Sequence, residues 1–200
     1  MKKLLLALCV LISGASTAYG YRTLKVDPTR SIKIKGPINN LERERASLLK
    51  MMSSRAPITI LIDSPGGSVI AGMRFIQAME VAKVRRVKLN CVVTGHAMSM
   101  GIHILAGCTN RYVFNHSLLM THPASYLVFG SVNEEAARVM ADQLKFLTEF
   151  LDAKLFNTVG VSRRTYDYWY KNELILSGAF VAKKAPKYVT VIHNLRGVSL

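Results

Sequence analysis

A serine set among small and flexible residues, where a strand-like run gives way to a helix-like one, is the first place to look for chemistry. Thr94-Gly95-His96-Ala97-Met98-Ser99-Met100-Gly101 has that form, with the β-branched run Val87 to Val93 leading in and Ile102 to Ala106 leading out. Such a turn presents a hydroxyl at the start of a helix, where unsatisfied N–H groups favour a developing oxyanion. A serine is a weak nucleophile until a base takes its proton. Of the five histidines, His122, in Met120-Thr121-His122-Pro123, ends a strand-like run on the same edge as Ser99 and is the candidate base. His103 lies four residues after Ser99 but leans to the buried side of its helix. His96 could line a cleft, and His116 and His193 read as loop or terminal residues. An oxyanion hole needs backbone N–H donors. Gly66-Gly67, after the apolar run Ile58 to Ile62, offers one and Met100 the second.

The elements that must carry these residues can be read from periodicity. Ser31 to Lys35 alternates as a half-exposed strand, and Ile58 to Ile62 is continuously apolar, as a strand buried on both faces is. Asn39 or Asn40 caps a helix to about Ser53, and Ser68 caps one to about Ala82. Tyr112–Phe114 and Leu118–Thr121 read as short strands. A long helix runs from Asn133 to about Asn157, apolar at Val139, Met140, Leu144, Leu147, Leu151 and Leu155. Short helices follow from Ser162 or Arg163 and from Ser177, then a last strand over Tyr188–Ile192. Residues 21–30 read as short, polar and loose. Strand and helix alternate three times with crossovers long enough to be parallel, so the expected class is α/β with the site at the carboxyl ends of the strands.

The 200 residues carry 27 Lys and Arg against 12 Asp and Glu. That excess suits an anionic partner such as a membrane leaflet or envelope polymer. It is scattered, without an aromatic-interleaved basic run, so nucleic acid is disfavoured. Residues 1–20 have the form of a secretory leader: Lys2-Lys3, the apolar stretch of residues 4–12, then the small residues SGASTAYG. Export to the periplasm or medium is expected, with residues 4–12 as an anchor if the leader is retained. Residues 21–200 form one domain. Outside the leader, Cys91 and Cys108 read as two small buried hydrophobes, although an exported protein could pair them. No metal-ligand spacing and no phosphate loop occurs, so neither metal nor cofactor is expected.

Three stretches together, Asp63-Ser64-Pro65-Gly66-Gly67-Ser68-Val69 with Ala71-Gly72, Gly95 to Gly101, and Met120 to Pro123, resemble the proteolytic subunit of the Clp protease. The resemblance covers about residues 31–192. It implies the Clp/crotonase fold, a ββα superhelix with a long protruding handle helix. It also implies a serine endopeptidase acting on peptides or unfolded chains: Ser99 the nucleophile, His122 the base, the N–H groups of Gly67 and Met100 the oxyanion hole. A ring-shaped homo-oligomer packing through the helix from Asn133 is implied as well. The family's aspartate, four residues before a capping serine, corresponds to Glu173 here, with Asn172 and Asp167 as alternatives. A leader points away from an ATPase partner, because ATP is absent outside the cytoplasm. The exported signal peptide peptidases of the SppA type share the S-P-G-G turn, but they use a lysine base. A catalytically impaired scaffold and a crotonase-like CoA enzyme are the other readings.

Overall fold

The computed structural model describes residues 22–125 and 131–199; the leader lies outside them. Among the described residues no helix is long and apolar enough to cross a membrane.

The centre is a parallel sheet. β2 (Ser31–Lys35), β3 (Ile58–Ser64), β4 (Leu89–Met98), β5 (Asn110–Val113) and β8 (Thr190–Val191) lie side by side in that order. Ile58, Ile60 and Ile62 enter the main core, and Leu61 enters a smaller cluster with Val92 and Ile192 on the other face. Both faces of β3 are thus covered, which is why its sequence does not alternate.

β4 is the unusual strand. Its first half pairs with β5, and its last three residues pair with β6 (Leu118–Met120). Between the halves its register with β3 shifts, from Ile62↔Val93 to Ser64↔Ala97. One strand therefore serves two layers. β7 (Leu176–Ser177) closes the second layer, antiparallel to β6. This mixed α/β arrangement agrees with the Clp/crotonase-like expectation.

The helices are α1 (Glu42–Met51), α2 (Val69–Val84), α3 (Met100–Ala106), α4 (Glu134–Val159), α5 (Arg163–Lys171) and α6 (Gly178–Lys184). Ser68, Asn133, Ser162 and Ser177 each cap a helix by accepting from the N–H three residues on, the role their side chains favour. α1 differs slightly: it starts at Glu42 with no side-chain cap at Leu41, and Asn40 Oδ1 instead accepts from Glu42 N–H at 2.8 Å. The long helix α4 buries only Leu151, Asp152, Leu155 and Val159. Phe146 is 67% exposed and stacks on Phe150, so the N-terminal half projects from the body. The lower half is clamped to α2 by Lys154 Nζ and Glu80 Oε1 at 2.7 Å.

Two expectations need correction. Residues 22–30 are not loose. β1 (Thr23–Lys25) pairs in parallel with β9 (Asn194–Arg196), Asp27 caps a short 3-10 turn, and the Arg30 guanidinium donates to the carbonyls of Met51, Ala56 and Pro57. The partners are distant in sequence, so local pattern does not betray them. Cys91 and Cys108, read as unpaired, form a disulfide across a Cα–Cα distance of 5.8 Å. β4 and the end of α3 bring them together inside the core, where both are buried. Closing the 17-residue separation removes denatured-state entropy of about 3 kcal/mol. The Cys91→Ala/Cys108→Ala variant is expected to unfold at lower denaturant by that amount. Reductant should shift the parent and leave the variant where it is.

Candidate active site

The site is built on the two glycine-bearing turns at the sheet's carboxyl edge. After β3, buried Ser64 Oγ donates to Gly36 O at 2.7 Å and accepts from Gly66 N–H at 3.1 Å. Ile38 then holds the next residues extended: its N–H donates to Gly66 O at 2.8 Å and its carbonyl accepts from Ser68 N–H at 2.7 Å. Gly67 lies between these bonds at φ +143°, and among the described hydrogen bonds its own N–H donates to none. A Cβ on Gly66 (φ +96°) would lie 2.5 Å from Ser99 Cβ and 2.9 Å from Met100 N. The first turn therefore packs its bare backbone against the second.

The second turn holds Ser99 at φ +51° and ψ −121°, a conformation a serine adopts only when its surroundings impose it. Ser99 N–H donates to Met120 O at 3.0 Å. Met100 opens α3, so its N–H has no carbonyl one turn back to satisfy it. The pairing of His96, Ala97 and Met98 with Leu118, Leu119 and Met120 sets how far residue 99 lies from residue 122. His122 Nε2 sits 2.9 Å from Ser99 Oγ, within the range a nucleophile–base pair requires.

The third candidate is placed differently. Glu173 is exposed at φ +49° on the turn after α5, and no described hydrogen bond joins it to His122. Asn172 Nδ2 donates to Tyr168 O at 2.7 Å, and Asp167 Oδ1 pairs with Arg163 Nε at 2.7 Å. Sequence reading also passed over Asp152. This aspartate sits in the buried part of α4 and lines the cavity that holds Ser99 and His122. Its Oδ2 pairs with Arg163 at 3.2 Å, and the buried Tyr166 hydroxyl lies against the same carboxylate; burial first and this contact second raise the Tyr166 pKa. A carboxylate set between Leu151 and Leu155 on an apolar stripe was the available signal.

His96 does not approach Ser99 in any described hydrogen bond; its Nδ1 is 2.6 Å from Asp63 Oδ1, and its N–H donates to the same oxygen at 3.2 Å. This pair spans the β3–β4 register shift. His103 is buried behind the site, and its imidazole is pushed down from 6.5 to about 4, by burial first and by the nearby His122 second. Below pH 6.5 the unfolded chain takes up a proton that the folded imidazole refuses. Stability is therefore lost as pH falls from 6.5 towards 4, by about 3 kcal/mol in all. Chemical denaturation of His103→Leu against the parent across this range is expected to show that part of the slope gone.

A family model described as Clp protease matches residues 21–165. A relative named ATP-dependent Clp protease proteolytic subunit 2, from Bifidobacterium longum (strain NCC 2705), is 27% identical over 158 residues, 74% of this chain and 75% of the relative. The protein of the same name from Thermobifida fusca (strain YX) is 36% identical over 104 residues, 50% of this chain and 48% of its own. The chloroplastic proteolytic subunit 3 of Arabidopsis thaliana is 35% identical over 94 residues, 46% of this chain and 29% of its own. The matched part thus spans three quarters of the first relative and half or less of the others. With the family model covering most of its length on a fold of the expected kind, the chain belongs to the Clp protease family.

Proposed function

We propose that the protein is an exported serine endopeptidase that cleaves exposed peptide segments through an acyl-enzyme. The 2.9 Å approach of His122 Nε2 to Ser99 Oγ carries this reading. Ser99 Oγ attacks the scissile carbonyl carbon as its proton passes to His122 Nε2. The carbonyl oxygen, now negative, accepts from Gly67 and Met100 N–H. His122 then returns the proton to the departing amine, and water repeats the sequence on the ester. Glu173 is the third member in this scheme, because the other two candidates on that segment are engaged elsewhere, and β7, the next element, pairs with β6 next to His122.

The relatives' names describe subunits of ATP-dependent proteases. Here the leader and the Cys91–Cys108 bond support an oxidising compartment without ATP, and action without an ATPase partner. The exposed apolar side chains of α4, Val139, Phe146 and Phe150, support a ring-shaped homo-oligomer joined through that helix. A catalytically impaired scaffold is favoured by one observation, the exposed position of Glu173.

Labelling with a fluorophosphonate separates the two. The parent should be labelled at one serine, Ser99→Ala should not, and labelling should track hydrolysis of a fluorogenic peptide. A folded, assembled parent that takes no label sinks the peptidase reading.

A further inference from the structure

The space beside the Ser99–His122 pair is small. It measures about 20 Å³ and is lined by Val69, Ser99, Met100, His122, Asp152 and Tyr170 among others. That is room for about one water molecule. In the tetrahedral intermediate that precedes the acyl-enzyme, three directions around the reacting carbon are taken: by Ser99 Oγ, by the oxyanion facing its donors and by the leaving amine beside His122. The residue that supplies the carbonyl occupies the fourth. The cavity opens there, bounded by Ser99, Met100 and His122.

Two of the side chains that line it, Tyr170 and Asp152, come from α5 and α4. Tyr170, on α5, closes one wall, and its ring stacks on Tyr166 at 5.8 Å with 19° between the planes. α5 is tied to α4 by Arg163 and Asp152, so this wall is fixed from two sides. Asp152 brings a carboxylate, which Arg163 and the Tyr166 hydroxyl approach from α5. An apolar side chain pushed against it would take water from a charged group, which is costly. A hydroxyl, or a water retained over an alanine methyl, would keep it solvated. Beyond a partition formed by Leu151 and His103 lies a larger apolar cavity of about 130 Å³. It is a separate space while the partition stands.

We propose that this peptidase cleaves after small residues, alanine and serine foremost, because Tyr170 and Asp152 close the space that a longer side chain would need. The inference rests on the peptidase reading. It adds a substrate class and names Tyr170 and Asp152 as specificity-determining residues.

The test uses the full-length assembled protein, with active sites first titrated by a fluorophosphonate. Peptidyl aminocoumarins differing only in the residue before the scissile bond (Ala, Ser, Leu, Phe) are then compared by kcat/KM per titrated site. Alanine and serine should exceed leucine and phenylalanine by at least about 10-fold, the scale on which pockets discriminate side-chain size. In Tyr170→Ala the leucine-to-alanine ratio should rise at least about 10-fold. A parent that prefers leucine or phenylalanine overturns the proposal and shows that the Leu151–His103 partition yields. So does an unchanged ratio in folded Tyr170→Ala. If that variant does not fold, the parent's own ratios still decide. An absence of any titratable serine overturns the peptidase reading itself, a result distinct from cleavage with the wrong selectivity.

Discussion

Under the proposed peptidase mechanism, His122→Ala is expected to lower kcat for a good peptide substrate by about 10⁴- to 10⁶-fold, the range seen when one member of a serine–histidine unit is removed. Without the imidazole, Ser99 Oγ has no acceptor at 2.9 Å. The hydroxyl must then lose its proton to water, and the leaving amine departs without a proton donor. What remains is the contribution of the Gly67 and Met100 N–H groups and of binding. The loss should fall on kcat and leave KM nearly unchanged, because His122 acts on the transition state. The unfolding midpoint should move little, since the side chain is half-buried and outside the main core. Adding Ser99→Ala should cost almost nothing more, because the two residues act as one unit. Single-turnover kinetics on the three variants measures this. Independent, multiplying losses would show that the pair is structural.

Gly66→Ala should be nearly as damaging, for a different reason. At φ +96° an alanine is strained, and its Cβ would lie 2.5 Å from Ser99 Cβ and 2.7 Å from Met98 O. Those neighbours belong to the turn that aims the nucleophile and the Met100 donor, so the clash displaces both. Loss of one aligned oxyanion donor costs about 10²–10³ in kcat, and misplacing Ser99 adds to it. Strain of this kind also lowers stability by about 1–3 kcal/mol. Gly36→Ala is the control. Its φ is +75°, yet nothing lies within 4 Å of the added carbon. It should show the strain in the unfolding midpoint and keep its kcat. Equal kinetic losses in the two variants would mean that Gly66 matters only as a glycine, whatever its neighbour.

Local signals made much of this molecule legible. The apolar run of β3, the two glycine turns and the four capping side chains at Ser68, Asn133, Ser162 and Ser177 are all properties of a few adjacent residues. The closeness of Ser99 and His122 was also within reach, because both sit where strands end on one edge. What escaped depends on contacts between distant segments. The β1–β9 pairing, the Cys91–Cys108 bond and the placing of Asp152 and Tyr170 beside Ser99 leave no periodic trace. Asp152 looks like a polar position on a helix until α5 is folded over it. Glu173 was located by its distance from Ser177, and spacing alone does not say which way an exposed turn will aim a carboxylate.

The β1–β9 ribbon has a consequence for how the chain is made. Its two strands meet across 171 residues, where Arg22 N–H donates to His193 Nδ1. β1, early in the chain, is therefore among the last of the strands to find its partner. Until then Leu24 cannot be held by Leu195 over the small cluster of Leu61, Val92 and Ile192. A chain cut short before residue 194 would carry both glycine-bearing turns yet leave that apolar face open. The ribbon therefore closes only once Asn194–Arg196 are in place to pair with Thr23–Lys25.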